Sequence, residues 1–247
     1  MSENDLAARY DSWHGPHFDP ARDPLRFAWY KSVYPHIRDH ARGRLLEIGC
    51  GRGEFAVWLA QQMPALRITA VDLSQAAIGV AKERATKANA DIDCRQQDAQ
   101  ALTFADETFD YIASCECLEH VPRPQGMASE IFRVLKPGGQ FCLTTENYLN
   151  GMLIAWLHSW VTGRPFDSGS GVQPHENFFV FWRVRRYLEA AGLVVDATES
   201  CHLQWLLLPR VDPGRLCTEH FSSTWARRLA KPFGRHYSFF GHKPAAL

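Results

Sequence analysis

Apolar and polar positions follow two alternating periodicities along this chain. Short apolar runs bounded by charged residues or glycine are typical of buried strands, and the stretches between them carry apolar residues at helical spacing. Strands are predicted over residues 45–48, 67–72, 91–95, 109–115 and 141–145. Strands that alternate with helices in this way favour a parallel sheet.

The alternation continues less regularly beyond residue 145. A helix is predicted over residues 182–191, with Gly192 as its stop, and a sixth strand over 193–200. Residues 236–241 are predicted to form an antiparallel edge strand. These elements predict an α/β fold with a doubly wound, mostly parallel seven-stranded sheet in a single domain. Its expected parts are a helical leader (1–43), a cofactor-binding half (44–145) and two insertions that form a substrate lid (147–178 and 202–234).

The first predicted strand runs into a loop with glycine at every second position, the segment E-I-G-C-G-R-G-E over residues 47–54. Glycine allows a sharp backbone turn and the close approach of a ligand. The N-terminus of the following helix offers N–H groups to that ligand. The segment predicts a site for a nucleotide-like ligand, and the acids Glu47 and Glu54 favour one that carries positive charge.

The loop departs from two common phosphate-binding patterns. A dinucleotide site needs glycine or alanine where this chain has Glu54, and the G-K-[ST] sequence of a P-loop is absent. The pattern E-x-G-x-G-x-G instead resembles motif I of the class I S-adenosylmethionine-dependent methyltransferases, a family with a Rossmann-like fold. The resemblance covers residues 44–145 and implies that the loop wraps the methionine part of S-adenosylmethionine, whose sulfonium is cationic. A strand–helix turn that binds no ligand is the alternative for the loop alone.

Two further acids follow predicted strands. Asp72 ends the second strand about 20 residues beyond the glycine loop, where doubly wound folds place an acid that binds the ribose hydroxyls. The resemblance assigns Asp98 to the adenine amino group. The predicted cofactor-binding residues are Glu47, Gly49, Cys50, Gly51, Gly53, Asp72, Leu73, Asp98, Ala99 and Cys115.

Candidate metal ligands follow the fourth strand. Residues three and four apart are neighbours on a helical surface, so Glu116, Glu119 and His120 can present two carboxylates and an imidazole to a divalent cation. This E-x-x-E-H segment resembles the ubiquinone-pathway O-methyltransferases and the small-RNA 3′-end 2′-O-methyltransferases. In the RNA enzymes, the motif and a later histidine hold a metal that grips a ribose diol. The resemblance makes His175 the candidate fourth ligand, with Mg, Mn, Fe or Zn as the cation.

The same segment is compatible with metal-free chemistry. L-E-H-V-P strings are widespread among small-molecule methyltransferases that need no metal, where the acids contact the cofactor or cap a helix. His120 is then the best general base, because the ordinary pKa of histidine lies near neutral pH. Glu119 and His120 are therefore the candidate catalytic residues.

Composition narrows the choice of partners. The chain has 247 residues, 46% of them hydrophobic, with a formal net charge of zero, so no global field attracts nucleic acid or membranes. Seven cysteines without a C-x-x-C pair, and an N-terminus without a signal-peptide core, predict a cytoplasmic protein. The most apolar stretch, residues 152–161, is too short to cross a bilayer. It is expected to line a substrate lid, or to pack on the core or on the second subunit of a homodimer.

These features predict an enzyme that methylates a hydroxyl of an aromatic, sugar-like or lipid-like small molecule, with metal assistance on a vicinal diol or catechol as one form of the reaction. A metal-independent C- or N-methyltransferase is the closest alternative, because all of these enzymes share the cofactor half. An RNA 2′-O-methyltransferase is disfavoured by the neutral charge, although residues 183–247 are basic. A non-catalytic cofactor-binding subunit would be expected to lose the loop or the acids present here.

Overall fold

The computed structural model describes residues 3–14, 23–148, 151–163, 173–177, 179–203, 232 and 234–245. The helices are α1 (Glu3–His14), α2 (Ala28–His40), α3 (Glu54–Gln62), α4 (Gln75–Lys87), α5 (Pro124–Val134), α6 (Gly151–Thr162) and α7 (Phe181–Ala190). The strands are β1 (Arg44–Ile48), β2 (Arg67–Asp72), β3 (Ile92–Gln96), β4 (Phe109–Cys115), β5 (Leu135–Glu146), β6 (Val194–Leu203) and β7 (Gly234–His242). Short 3₁₀ turns cover Pro24–Arg26 and Leu118–His120.

The seven strands form one sheet in the order β3-β2-β1-β4-β5-β7-β6. Strands β1 to β5 pair in parallel, and β7 runs antiparallel to both of its neighbours. This confirms the mostly parallel, doubly wound sheet. The strand order reverses between β1 and β4, and ligands of such sheets bind beyond the carboxyl ends of the strands at this switch point.

The prediction that residues 236–241 form an edge strand was wrong. They belong to β7, which pairs with β5 on one side and β6 on the other, so that β6 is the edge. The reason lies in the burial of both faces: the consecutive residues Phe239 and Phe240 point to opposite faces, and both are buried. A strand covered on both faces belongs in the interior of a sheet.

Helices cover both faces of the sheet. Leu45 packs in a cluster with residues of α2, α3 and α4, such as Phe55. Its neighbour Leu46 points to the other face and packs with residues of α5 and α7, such as Ile131 and Leu188. The two apolar layers fix the strands, and thereby the loops at their carboxyl ends, in place.

Two element boundaries matter for the site. Ser74 caps α4, since its Oγ accepts a hydrogen bond from the Ala77 N–H at 3.0 Å. Strand β5 is longer than the predicted 141–145 and extends to Glu146 at the carboxyl edge. Within the part of the chain that the structure describes, no helix is both long and apolar enough to span a bilayer. Most of the predicted insertion 202–234, and the Gly/Ser-rich loop at 169–171, lie outside the described residues.

Candidate active site

A cavity of about 510 Å³ opens at the carboxyl edge of the sheet, beside the switch point. Its wall combines the loops after β1 to β4 with α1 and the edge of the sheet at β5 and β7. This volume is ordinary for a ligand site. The predicted site residues found in the wall are Gly49, Cys50, Gly51, Asp72, Leu73, Asp98, Ala99, Cys115, Glu116, Glu119 and His120.

The glycine loop turns sharply, as its sequence predicts. Gly49 and Gly53 have φ of +75° and +72°, where residues with a Cβ are rare. A Cβ at Gly49 would lie 2.5 Å from the Sγ of Cys117, so this glycine lets the segment after β4 pack against the loop. Gly53 lies outside the cavity wall, and a Cβ there would lie 2.8 Å from the Cβ of Ala81. Gly49 thus shapes the cavity, whereas Gly53 lets α3 approach α4.

Backbone donors orient the two predicted cofactor acids. The Gly51 N–H donates to Oδ2 of Asp72 at 2.8 Å, and the Ser74 N–H donates to Oδ1 at 2.9 Å. The Gln100 N–H donates to Oδ1 of Asp98 at 2.8 Å. A carboxylate oxygen can accept more than one hydrogen bond. Both acids are therefore fixed in the wall with acceptor capacity left for a ligand.

Glu47 lies beneath the loop and outside the cavity wall, with 1% of its surface exposed. Burial, and then the nearby charge of Asp72, raise the pKa of Glu47 to about 8, although a hydrogen bond from the Ala56 N–H opposes the rise. The carboxyl is therefore mostly protonated at neutral pH. Its contact with the cofactor stays a prediction.

Helix α1 closes one side of the cavity. The hydroxyl of Tyr10 donates to the backbone carbonyls of His120, at 3.3 Å, and His175, at 3.4 Å. Oδ1 of Asp11 accepts from the Ser74 hydroxyl at 2.6 Å and from the Ala76 N–H at 2.9 Å. These contacts tie the leader helix to both the cofactor loop and the segment after β4.

Glu116 begins the acceptor side, which we define as the segment after β4 together with the neighbouring ends of β5 and β7. Its Oε2 lies 2.8 Å from Nδ1 of His236, and its buried Oε1 finds no hydrogen-bond partner among the described residues. Burial alone would raise the pKa of Glu116, but the charge and hydrogen bond of His236 outweigh burial and lower it. Glu116 is therefore a carboxylate at neutral pH.

Glu119 is more deeply buried, with 1% of its surface exposed. Its Oε2 accepts from the Thr145 hydroxyl at 2.9 Å, while its Oε1 has no hydrogen-bond partner in the described part of the chain. Burial, and then the charge of Glu116, raise the pKa of Glu119 well above its ordinary value. The pKa values of the two glutamates of the motif are thus shifted in opposite directions.

His120 has a defined tautomer. Its Nδ1 lies 3.0 Å from the backbone carbonyl of His175, and because a carbonyl can only accept, Nδ1 carries the hydrogen. In the neutral ring, Nε2 then holds the lone pair. Burial lowers the pKa of His120 below its ordinary value, so the imidazole is neutral at pH 7. This is the form that a general base requires.

The segment that contains His175 packs against the 3₁₀ turn of the motif. The Asn177 N–H donates to the carbonyl of Glu119 at 2.7 Å, and its side-chain amide donates to the carbonyl of Val121 at 2.6 Å. His175 lies outside the cavity wall, and its buried Nε2 finds no partner among the residues described. The structure therefore brings the predicted fourth ligand next to the motif.

Sequence reasoning missed two residues of the acceptor side, Glu146 and His236. Both line the cavity, and with Glu116 they form a group whose potential ligand atoms lie within 4.8 Å of one another. No other group of this kind occurs among the described residues, so Glu119, His120 and His175 do not gather with Glu116 in the same way. No spacing in the sequence joins Glu116 to Glu146 and His236, and the one available signal was that Glu146 follows a strand.

The apolar insertion over residues 152–161 forms most of α6. Its described side chains include Trp156, Leu157 and Trp160, which are exposed and absent from the cavity wall. A role in a lid or in a subunit interface stays a prediction.

The chain resembles known methyltransferases over part of its length. Residues 46–143 match the family described as "Methyltransferase domain". The chain is 33% identical over 133 residues to the ubiquinone biosynthesis O-methyltransferase of Pseudomonas entomophila (strain L48), a match over 53% of this chain and 55% of that protein. It is 38% identical over 103 residues to the protein of the same name from Coxiella burnetii (strain Dugway 5J108-111), over 42% and 43% of the two chains. The chain spans about half the length of the curated relatives that it matches.

Solved structures resemble nearly the whole chain. Phosphoethanolamine N-methyltransferase 2 of Haemonchus contortus, in complex with S-adenosyl-L-methionine, gives a TM-score of 0.65 at 22% identity, over 99% of this chain and 60% of that chain. The [4+2]-cyclase SpnF gives 0.64 at 19% identity, over 93% and 86%. Similarity at this level shows the fold alone, and the difference in the names of these two proteins illustrates that a fold does not determine a reaction.

Proposed function

We propose that this chain is a class I S-adenosylmethionine-dependent methyltransferase and that it transfers the methyl group of S-adenosylmethionine to a hydroxyl of a small-molecule acceptor. The observation that carries the proposal is His120, a neutral imidazole with a fixed tautomer in the wall that also contains Asp72 and Asp98. The names of the curated relatives support oxygen as the methylated atom.

The cofactor side is proposed to hold S-adenosylmethionine through its two acids. Asp72 accepts from the ribose hydroxyls, and Asp98 accepts from the adenine amino group. Residues 49–51 lie against the methionine part, where the left-handed backbone of Gly49 allows close approach. The carboxylate of Glu116 in the same cavity favours a cationic sulfonium.

His120 is proposed to take the proton of the acceptor hydroxyl at Nε2. As the oxygen–carbon bond forms, the sulfur–carbon bond breaks, and the electron pair of that bond remains on sulfur as a neutral thioether. The contact from Nδ1–H to the carbonyl of His175 keeps the ring oriented throughout and stabilises the imidazolium that forms. The hydroxyl of Tyr10 donates to the same carbonyl.

Metal assistance is part of the proposal, because the residues present fit a divalent cation. Glu116 and Glu119 each keep a buried oxygen without a partner among the described residues, whereas the predicted fourth ligand, His175, lies outside the cavity wall. A bound divalent cation would lower the pKa of an acceptor hydroxyl and orient it. His120 cannot serve this cation and accept a proton with the same Nε2 atom, so its two predicted roles exclude each other.

An aromatic acceptor is favoured by the aromatic side chains in the cavity wall. Phe27, Trp29 and Tyr30 line the cavity together with Glu116 and Glu119. Flat aromatic surfaces stack on an aromatic ring, while the polar groups can contact its hydroxyls. A catechol combines both features.

The test is methyl transfer from S-adenosylmethionine labelled in its methyl group to catechol, phenol and an aromatic amine of matched size. We expect label on one oxygen of catechol, and less or none on phenol. Label on the amine and on neither hydroxyl compound would contradict O-methylation and favour an N-methyltransferase. A short RNA with a free 3′-terminal ribose tests the alternative of an RNA 2′-O-methyltransferase. We expect no label on this RNA.

A further inference from the structure

A group of metal-ligating side chains lies where the carboxyl ends of β4 and β5 meet the start of β7. Glu116, Glu146 and His236 each present one ligand atom, and these atoms lie within 4.8 Å of one another. We propose that these three side chains, rather than the set predicted from the E-x-x-E-H motif, hold a divalent cation in the cavity. A role of this cation in the reaction rests on the proposed methyl transfer, whereas the binding of the cation by these residues does not.

Strand pairing places the three side chains. Glu146 and His236 are directly opposite each other in the antiparallel pair of β5 and β7. Side chains of directly opposed residues lie on the same face of a sheet. The Glu116 N–H donates to the carbonyl of Thr144 in β5 at 3.1 Å, which brings Glu116 alongside the same pair. Two of the three donors therefore lie on the sheet itself, and the third follows a strand and is hydrogen-bonded to the sheet. Sites supported by strands are more precise than sites built on loops.

Burial and charge both favour a cation here. Glu146 is 7% exposed and His236 is 2% exposed. Among the residues that the structure describes, Oε1 of Glu116 is buried without a partner, and so is Oε1 of neighbouring Glu119, a fully buried side chain in the same cavity wall. Buried carboxylate oxygens are stable only when they are paired, hydrogen-bonded or bound to a metal. A dication would neutralise the charge of Glu116 and Glu146.

The donor types narrow the choice of ion. Two carboxylates and one imidazole suit Mn²⁺, Fe²⁺ or Zn²⁺ better than soft, thiolate-preferring ions. Nδ1 of His236 already contacts the Glu116 carboxylate at 2.8 Å, and its ring packs on Trp29 with a centroid distance of 5.1 Å. These contacts fix the imidazole in orientation, as the supports of metal-binding histidines do.

This ligand set removes the conflict over His120. With Glu146 and His236 as ligands, Nε2 of His120 stays available as the proton acceptor, while Nδ1 keeps its contact with the carbonyl of His175. One cavity can then hold both a cation and a general base.

The experiment measures Mn²⁺ binding in the absence of S-adenosylmethionine. Protein stripped with a chelator is titrated with Mn²⁺, and free Mn²⁺ is followed by its electron paramagnetic resonance signal, with Zn²⁺ as competitor. We expect the wild-type chain to bind one Mn²⁺. In E146Q and in H236N we expect the affinity for Mn²⁺ to be lower than in the wild type by about tenfold or more. The control H242N removes a histidine of the same strand whose Nδ1 lies 2.7 Å from Asp196, outside the cavity. Its affinity should equal that of the wild type.

Thermal unfolding and S-adenosylmethionine binding check that each variant is folded. If H236N does not fold, the affinity of E146Q for Mn²⁺ tests the inference by itself. Absence of stoichiometric Mn²⁺ binding by the folded wild-type chain overturns the inference. Weakened binding in E119Q and H175N, with E146Q unchanged, also overturns it and assigns the cation to the predicted set. A chain that binds Mn²⁺ at Glu146 but methylates no hydroxyl would contradict only the proposed function. A chain that methylates catechol without binding Mn²⁺ would contradict only this inference.

Discussion

The two sides of the cavity are built in different ways. On the cofactor side, Gly49 and Asp98 follow parallel strands and Asp72 ends one, and backbone N–H groups of the loops at this edge of the sheet orient the two acids. On the acceptor side, Glu116 meets Glu146 and His236, which come from strands far apart in the chain.

This difference shows how one fold can keep its cofactor and change its substrate. The cofactor side depends on short segments whose conformation is nearly self-contained. The acceptor side depends on strand register and on deeply buried polar groups, so we expect substitutions there to change the chemistry of the cavity without changing the proposed cofactor contacts. The four variants below separate the two sides, from the largest expected effect to the smallest.

The His120→Asn variant should lose about 10²–10⁴-fold in kcat, the usual contribution of a general base. The asparagine amide can still donate to the carbonyl of His175, so S-adenosylmethionine affinity should stay within about twofold, as seen by calorimetry. In the wild type, log kcat should rise with pH through a pKa below that of ordinary histidine, because burial lowers the pKa of His120. If the variant loses as much affinity for S-adenosylmethionine as it loses in kcat, His120 also contributes to cofactor binding, and the two sides of the cavity do not act independently.

The Glu47→Gln variant should change how stability depends on pH. The pKa of Glu47 is raised to about 8 in the folded chain, so in the wild type the unfolded state ionises first and the free energy of unfolding falls as pH rises from the ordinary glutamate pKa towards 8. At about 1.4 kcal/mol per pKa unit, the free energy of unfolding of the wild type falls by up to about 4 kcal/mol near pH 7.5. Glutamine does not ionise, so the variant does not lose this stability.

The measurement is urea unfolding between pH 4 and pH 8. The variant should approach the wild type at low pH and exceed it at high pH. Glu199→Gln, an exposed glutamate of β6, serves as the control with no such change. Parallel pH profiles for the wild type and Glu47→Gln would refute a protonated Glu47.

The Asp72→Asn variant should weaken S-adenosylmethionine binding by about 1–3 kcal/mol, the range for a lost charged hydrogen-bond partner. Mn²⁺ binding on the acceptor side should not change. Asp93→Asn on β3, which loses only an exposed ion pair with Arg95, is the matched control. Wild-type calorimetric affinity in Asp72→Asn would move the ribose contact to another residue.

The Gly53→Ala variant should destabilise the chain by about 1–2 kcal/mol, because a Cβ is disfavoured at φ +72° and would lie 2.8 Å from that of Ala81. Gly79→Ala in α4 is the contrast, since its Cβ meets nothing within 4 Å and alanine favours a helix by about 0.5–1 kcal/mol. Chemical unfolding should move the two variants in opposite directions. Equal stability of both would show that α3 and α4 do not require a glycine at their contact.

Much of the fold could be predicted because its signals are local. The strand Arg67–Asp72 has its predicted bounds, and the helix Phe181–Ala190 lies within one residue of its predicted bounds. The place of β7 could not be predicted, because an apolar strand at the end of a chain fits either an edge or an interior position. The contact of α1 with the segment around His175 was likewise invisible, since Tyr10 reaches it through backbone carbonyls.

The sequence by itself determined the cofactor side. A strand, a glycine turn and a helix start within one short segment have few alternative conformations, and the acids after the next strands fall at the same edge of a parallel sheet. Only the tertiary structure decided the acceptor side. The insertion of β7 between β5 and β6 sets His236 opposite Glu146. Burial raises the pKa of Glu119 well above its ordinary value, whereas the contact with His236 outweighs burial and lowers the pKa of Glu116. Pairing between distant strands and the removal of charge from water are properties of the whole fold, which no spacing along the chain records.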